Sequence, residues 1–217
     1  MRNRRIILLL SVLLSVLWPK PSHANIISYL RFEEGSGTWA MDQTGLMNGE
    51  LLEDWGPLEG WTADVPCSAI PLTGQQNLYS IRFGGGSEFI DLSNGNDVNL
   101  GTNFTVEFYL KPEQPVIASV AFAFAPVSGL GLTVAEGEGR NYFWLGFQSE
   151  SRLIPTPELE IGTWQHLALV KEPGRYSLYL NGQLFVTDTL PSSTDGPYWF
   201  PGTGMTGDRT IGGESGT

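Results

Sequence analysis

An all-β sandwich is the fold this sequence predicts, and three features point to it. Apolar residues recur at a spacing of two in short runs. No longer window carries an apolar face at helical spacing. Glycine (27) and proline (14) are abundant between the runs, while aromatic residues reach 12% and charged residues only 16%. That mixture suits pleated, half-buried strands joined by turns better than it suits helices.

The first 24 residues read differently from the rest. Arg2, Arg4 and Arg5 precede an uncharged run from Ile6 to Trp18, and the segment closes on Ser22-His23-Ala24. This is the positive, apolar and small-residue order of a secretory signal peptide, with cleavage expected after Ala24. A membrane anchor is the rival reading. A run of that length spans about 20 Å as a helix, short of the roughly 30 Å hydrocarbon core. The domain is then Asn25 to Thr217, and a secreted or extracytoplasmic location is expected. No membrane span is expected after cleavage.

Strands are expected in order at Ile27 to Phe32, Ser80 to Phe83, Glu88 to Leu92 and Phe104 to Lys111. In the last of these, Phe104, Val106, Phe108 and Leu110 alternate with Thr105, Glu107, Tyr109 and Lys111, and Pro112 ends the run. Further strands follow at Val116 to Phe124, Leu130 to Ala135, Tyr142 to Gln148 and Trp164 to Lys171. Tyr176 to Leu180 and Gln183 to Thr187 flank Asn181-Gly182, a strong two-residue hairpin signal. The proline- and glycine-bearing stretch Glu53 to Gln76 is expected to be a long surface connection.

Charge and cysteine usage exclude several functions. The chain carries 12 basic and 23 acidic residues, a formal charge of -11. Four of the basic residues (Arg2, Arg4, Arg5, Lys20) lie in the signal segment, so 8 oppose 23 in the domain, giving -15. Such a surface repels phosphate backbones, and nucleic acid is excluded as a partner. A single cysteine, Cys67, rules out a disulfide framework and reads as a buried small hydrophobe.

Catalytic constellations are sparse. His166 is the one imidazole of the domain, and inside a strand it reads as a structural histidine rather than a general base. Gly202-x-Gly204-x-x-Gly207 matches a dinucleotide fingerprint in letters but has no helix behind it to aim amides at a pyrophosphate. Paired carboxylates on one strand face could cleave a glycosidic bond. Glu158 and Glu160 have that spacing, yet Pro155, Pro157 and Gly162 mark a loop there, and Glu136 and Glu138 lie in a glycine-rich turn.

Several blocks carry a resemblance. Tyr29-Leu30-Arg31-Phe32-Glu33-Glu34-Gly35-Ser36-Gly37 with Asp42 and Gly45 to Gly49 comes first, followed by Ser80 to Gly85 with Phe89 to Leu92. Asn103 to Pro112 is next, then Gly162 to Val170, Leu178 to Gln183 and Thr210 to Gly213. In this order they resemble the concanavalin A-like LamG jelly-roll domains of secreted bacterial proteins. Trp61 to Pro66 is also similar to versions in exported proteins, many with a C-terminal sorting tail, which would place the protein at the cell surface.

The resemblance implies a two-sheet antiparallel jelly roll that binds glycans or proteins, commonly with a structural calcium at its rim. Calcium takes six to eight oxygens, and Glu33, Glu34 and Asp42, which flank the first strand, are the metal candidates. Gly84 stands where the family usually has an aspartate. The family's closing strand after the Ile-Gly-Gly block does not follow here, so a domain lacking its final strand is expected, either a fragment of a longer protein or a gene with a premature end, rather than a complete short domain.

Function is therefore expected to be that of a monomeric, non-catalytic module for carbohydrate or an extracellular protein. Trp144, Tyr198, Trp199 and Phe200 are the ligand-binding candidates, because sugar rings stack on exposed aromatic faces. A purely structural or adhesive segment is the alternative, and a divergent glycoside hydrolase the weaker one.

Overall fold

A computed structural model of the chain describes residues 25–52, 60–83, 89–92, 98–113, 118–124, 130–137, 140–147, 150–155, 159–200 and 209–211. The expected signal segment lies outside them. The architecture is all-β and antiparallel, as the alternation predicts, in the manner of a jelly-roll sandwich.

The strands in chain order are β1 (Trp39–Ala40), β2 (Gly49–Leu52), β3 (Gly60–Thr62), β4 (Ser80–Arg82), β5 (Phe89–Asp91), β6 (Val98–Gly101), β7 (Phe104–Leu110) and β8 (Ala118–Phe124). They continue as β9 (Leu130–Gly137), β10 (Arg140–Phe147), β11 (Glu150–Pro155), β12 (Gln165–Glu172), β13 (Arg175–Leu180), β14 (Gln183–Thr189), β15 (Tyr198–Phe200) and β16 (Arg209–Ile211). Among the described residues the larger sheet runs β1-β2-β5-β16-β8-β9-β10-β11 and a second runs β14-β13-β12-β7. Two short ribbons, β15-β6 and β3-β4, complete the ladders. The chain leaves the second sheet after β7, builds the β8 to β11 meander in the first, and returns for the β12 to β14 meander.

The second sheet shows why its residues form it. Along β7 the even-numbered side chains are more buried than the odd ones, as the period of two requires. In register, Phe108 faces Leu167, which faces Leu180, and Val106 faces Leu169, which faces Leu178. These residues form one core cluster with Met47, Val98, Leu159, Tyr176, Leu190 and Tyr198. The Asn181-Gly182 turn between β13 and β14 has φ of 50° and 75°, positive at both positions. That is the twist a two-residue hairpin needs, and asparagine and glycine bear it at the least steric cost. Ala40, Leu51, Ile90 and Leu92 form a separate cluster under β2 and β5.

One inward position of this sheet is a lysine. Lys171 is fully buried, and its Nζ donates to Glu172 O at 2.7 Å and lies 3.1 Å from Asp195 Oδ1. The same carboxylate oxygen accepts Gly174 N at 2.7 Å. A buried ammonium needs this compensation, and the arrangement ties the β12–β13 turn to the segment that leads into β15.

Three expectations are corrected. Ile27 to Phe32 is not a strand. Only Leu30 bridges to Asp42, Tyr29 N is taken by the Asp42 carboxylate, and Phe32 has φ of 59°, outside the extended region. The stretch Glu53 to Gln76 is not wholly a connection, because Gly60–Thr62 forms β3 against β4. Cys67 is half-buried rather than buried, with its thiol 3.1 Å from Ala69 O and 3.8 Å from Asn77 Nδ2.

Candidate functional site

The odd-numbered residues of β7 face away from the core, and the register of the sheet decides what they meet. Tyr109 lies opposite His166 of β12, while Glu107 lies opposite Ala168, which in turn lies opposite Tyr179 of β13. The Tyr109 and His166 rings sit with centroids 4.9 Å apart, inclined at 48°. His166 Nε2 is 3.5 Å from Glu107 Oε2. Tyr109 remains 42% exposed and the Glu107 side chain 65%. Ala168, small and buried, separates Glu107 from Tyr179. The result is an open face carrying two tyrosines, an imidazole and a carboxylate.

The hairpin holds this face in place. Asn181 Oδ1 accepts His166 N at 2.9 Å and Asn181 N donates to His166 O at 2.8 Å, so the turn residue extends the β12–β13 ladder to the histidine. His166 is half-buried on the outward face, with its backbone hydrogen-bonded to Asn181.

The Trp61 to Tyr79 segment closes one side. Asp64 Oδ1 accepts Trp164 Nε1 at 2.9 Å, and its other oxygen is bonded to Lys111 Nζ. The hydrogen bonds from Lys111 and Trp164 hold the Asp64 carboxyl below its ordinary pKa. Arg82 pairs with Glu113 at 2.6 Å. Burial raises the Tyr109 hydroxyl, with further contributions from Cys67 and Glu107. Tyr29 is likewise raised, first by burial. Arg31 opposes that shift, while Cys67, Glu107 and Glu33 add to it.

Of the residues expected to bind ligand, Tyr198 belongs to the core. It is 1% exposed, its hydroxyl donates to Thr194 O at 3.0 Å, and its ring meets Phe104 edge-on at 5.2 Å. Burial raises its hydroxyl to about 12. No sugar can stack on a ring so enclosed. Trp144 lies in β10, and Trp199 and Phe200 in β15. Their side chains fall outside the described part of the structure.

The metal candidates are also redirected. Asp42 is buried, and its Oδ1 accepts Tyr29 N and Thr44 N while its Oδ2 accepts Thr44 Oγ1, Leu46 N and Met47 N, at 2.6 to 3.1 Å. A carboxylate ringed by donors presents their partial positive charge to any incoming cation. Burial pushes the Asp42 pKa up, but the bonds from Thr44, Tyr29 and Met47 outweigh it and leave the pKa lowered. Both oxygens of Glu33 accept Leu78 N, at 3.0 and 3.1 Å, and Glu34 Oε1 accepts Met41 N at 3.1 Å. Glu34 Oε2 is buried without a partner, a single oxygen where calcium needs six to eight. Among the described residues no three His, Cys, Asp or Glu side chains gather as a metal site. In this structure the three carboxylates accept backbone donors and brace loops.

Tyr109 and His166 lie outside the expected site because each is read within its own strand, Tyr109 as one polar-phase residue and His166 as a structural histidine. The polar phase of the Phe104 to Leu110 alternation marks Tyr109 as outward, but its partner depends on register.

Comparison with known proteins places the fold. Residues 84–216 match the family model described as the concanavalin A-like lectin/glucanases superfamily. Domain 4 of AbnA, a GH43 extracellular arabinanase from Geobacillus stearothermophilus solved in complex with arabinotriose, superposes with a TM-score of 0.51 at 16% identity, covering 85% of this chain and 89% of that one. A mutant Trypanosoma rangeli sialidase displaying trans-sialidase activity superposes with a TM-score of 0.51 at 14% identity, covering 88% of this chain and 28% of that one. No curated protein sequence matches the chain.

Proposed function

Since the chain belongs to the concanavalin A-like lectin/glucanase superfamily, we propose that it is a non-catalytic, extracytoplasmic module that binds a glycan on the outward face of the β14-β13-β12-β7 sheet. The observation that carries this reading is the Tyr109–His166–Glu107 cluster, an exposed aromatic ring beside a hydrogen-bonding imidazole and carboxylate. Apolar sugar faces stack on such rings, and sugar hydroxyls bond to such polar groups. The arabinotriose complex of the AbnA domain is compatible with it.

Binding rather than cleavage is favoured by the carboxylates. Glycoside hydrolysis takes two of them facing one bond, roughly 5–9.5 Å apart. Glu107 is exposed at the cluster, but Asp64 is engaged by Lys111 and Trp164, Glu33 by Leu78 N, and Glu113 by Arg82. None of these three is free to serve as its partner.

The test is an array of plant and bacterial oligosaccharides, arabinotriose included, followed by titration of the best ligand against Tyr109→Ala. A roughly tenfold weakening, about 1.4 kcal/mol, is expected with an unchanged melting temperature. Absence of binding to any glycan would leave the adhesive reading in its place.

A further inference from the structure

We propose, resting on the glycan-face reading above, that Tyr179 forms a second sugar subsite beside the Tyr109 cluster, so that the face takes an oligosaccharide rather than a lone monosaccharide. Directly opposed residues of antiparallel strands point to the same face. Tyr109 shares its face with Glu107, two residues back along β7. The register carries that face from Glu107 to Ala168 of β12, to Tyr179 of β13 and on to Leu184 of β14. Tyr109 and Tyr179 therefore stand on one outward surface, with Ala168 diagonally between them.

Spacing and relief both call for more than one sugar ring. Two strand separations of about 4.8 Å and one same-face step of about 6.8 Å set the two tyrosine Cα atoms about 12 Å apart. The Tyr109 ring stands against His166, and Glu107 approaches the same imidazole. A sugar stacked on Tyr109 is thus held by those polar groups and leaves Tyr179 uncovered. Between the tyrosines Ala168 offers only a methyl group and is 8% exposed, a low point over which a glycosidic link can pass. Beyond it, half-buried Tyr179 lies opposite Leu184, which is 56% exposed. This pair presents an apolar step at the outer strand of the sheet. The first subsite fixes the sugar by hydrogen bonds, and the second adds affinity by stacking.

The experiment titrates linear arabino-, xylo- and gluco-oligosaccharides, from monosaccharide to pentasaccharide, against the full chain. In the series that binds, wild-type affinity is expected to rise by about fivefold or more from monosaccharide to trisaccharide, the gain of one further aromatic contact. Tyr179→Thr, a residue that suits a strand, is expected to abolish that gain while leaving monosaccharide affinity within about twofold of wild type. Tyr179→Phe keeps the ring and is expected to keep the gain. Ala168→Leu fills the low point and is expected to remove the gain by a separate route. Tyr109→Ala weakens binding at every length. Affinity independent of length in wild type, or a length gain that survives Tyr179→Thr, overturns the second subsite while leaving the glycan face standing. A Tyr179→Thr loss equal for monosaccharide and trisaccharide overturns it too, since Tyr179 would then belong to the first subsite or act only on the fold. Binding to no sugar of any length overturns both readings.

Discussion

Replacing Asp42 with asparagine separates the two roles that this carboxylate could play. In the structure five donors converge on a side chain that is only 5% exposed. An asparagine must place its NH₂ where one oxygen stood. At the Oδ1 position it would confront Tyr29 N and Thr44 N, at the Oδ2 position Thr44 Oγ1, Leu46 N and Met47 N. The less costly choice still sets two backbone donors against a donor, and the remaining bonds lose their charge. Hydrogen bonds to charged groups contribute about 1.5–3 kcal/mol each. Because bonds within one network do not add fully, a loss of about 3 kcal/mol is expected. For a domain of this size that corresponds to a fall of roughly 6–12 °C in melting temperature.

Thermal unfolding of both proteins in EDTA and in millimolar calcium is the assay, and the drop is expected to be the same in both media. A calcium-dependent rise in wild type that Asp42→Asn abolishes would refute the reasoning and restore the metal role; an unchanged melting temperature would refute the loop-bracing role. The acid limb gives a second reading. A lowered folded-state pKa contributes stability that is present above about pH 4 and lost as pH falls through the folded value. Wild type should therefore lose stability more steeply below pH 4 than Asp42→Asn.

Two further outcomes follow from the same structure. Tyr198→Phe removes the bond to Thr194 O and is expected to cost about 1–3 kcal/mol in urea unfolding while leaving glycan affinity unchanged; weaker binding at unchanged stability would return Tyr198 to the ligand site. Asn181→Ala puts an ordinary residue at φ of 50° and removes the acceptor of His166 N. A cost of about 1–2 kcal/mol is expected, together with weaker glycan binding as His166 loses its anchor, and wild-type affinity would show that the hairpin does not position it.

Much of the second sheet was legible in advance. The Phe104 to Lys111 strand appears one residue shorter, ending at Leu110, and the Asn181-Gly182 hairpin joins the expected strands, because both signals are local. Alternation is set within one strand, and the turn is set by two residues that tolerate positive φ. Short strands such as Trp39–Ala40, Gly49–Leu52 and Val98–Gly101 carry too few residues to show a period. They are strands because a neighbour pairs with them. Lys171 is the opposite case. Its charge argues for an outward position, yet the alternation places it inward, and Asp195, distant in sequence, makes that tolerable.

By itself the amino-acid sequence determined the fold class, the order of the longer strands and the family resemblance, since these rest on periodicity, turn chemistry and block order along one chain. Which aromatic residues are open was decided only by tertiary structure. Tyr198 reads as a surface ring in its turn-rich segment, and Phe104 and Thr194 bury it. Tyr109 reads as one polar-phase residue among several, and strand register sets it beside His166. Acidic residues near the first strand suggested a cation site, but where each carboxylate points depends on loops folding back over it. The backbone donors that ring Asp42 come together only when the chain between Tyr29 and Met47 closes on itself.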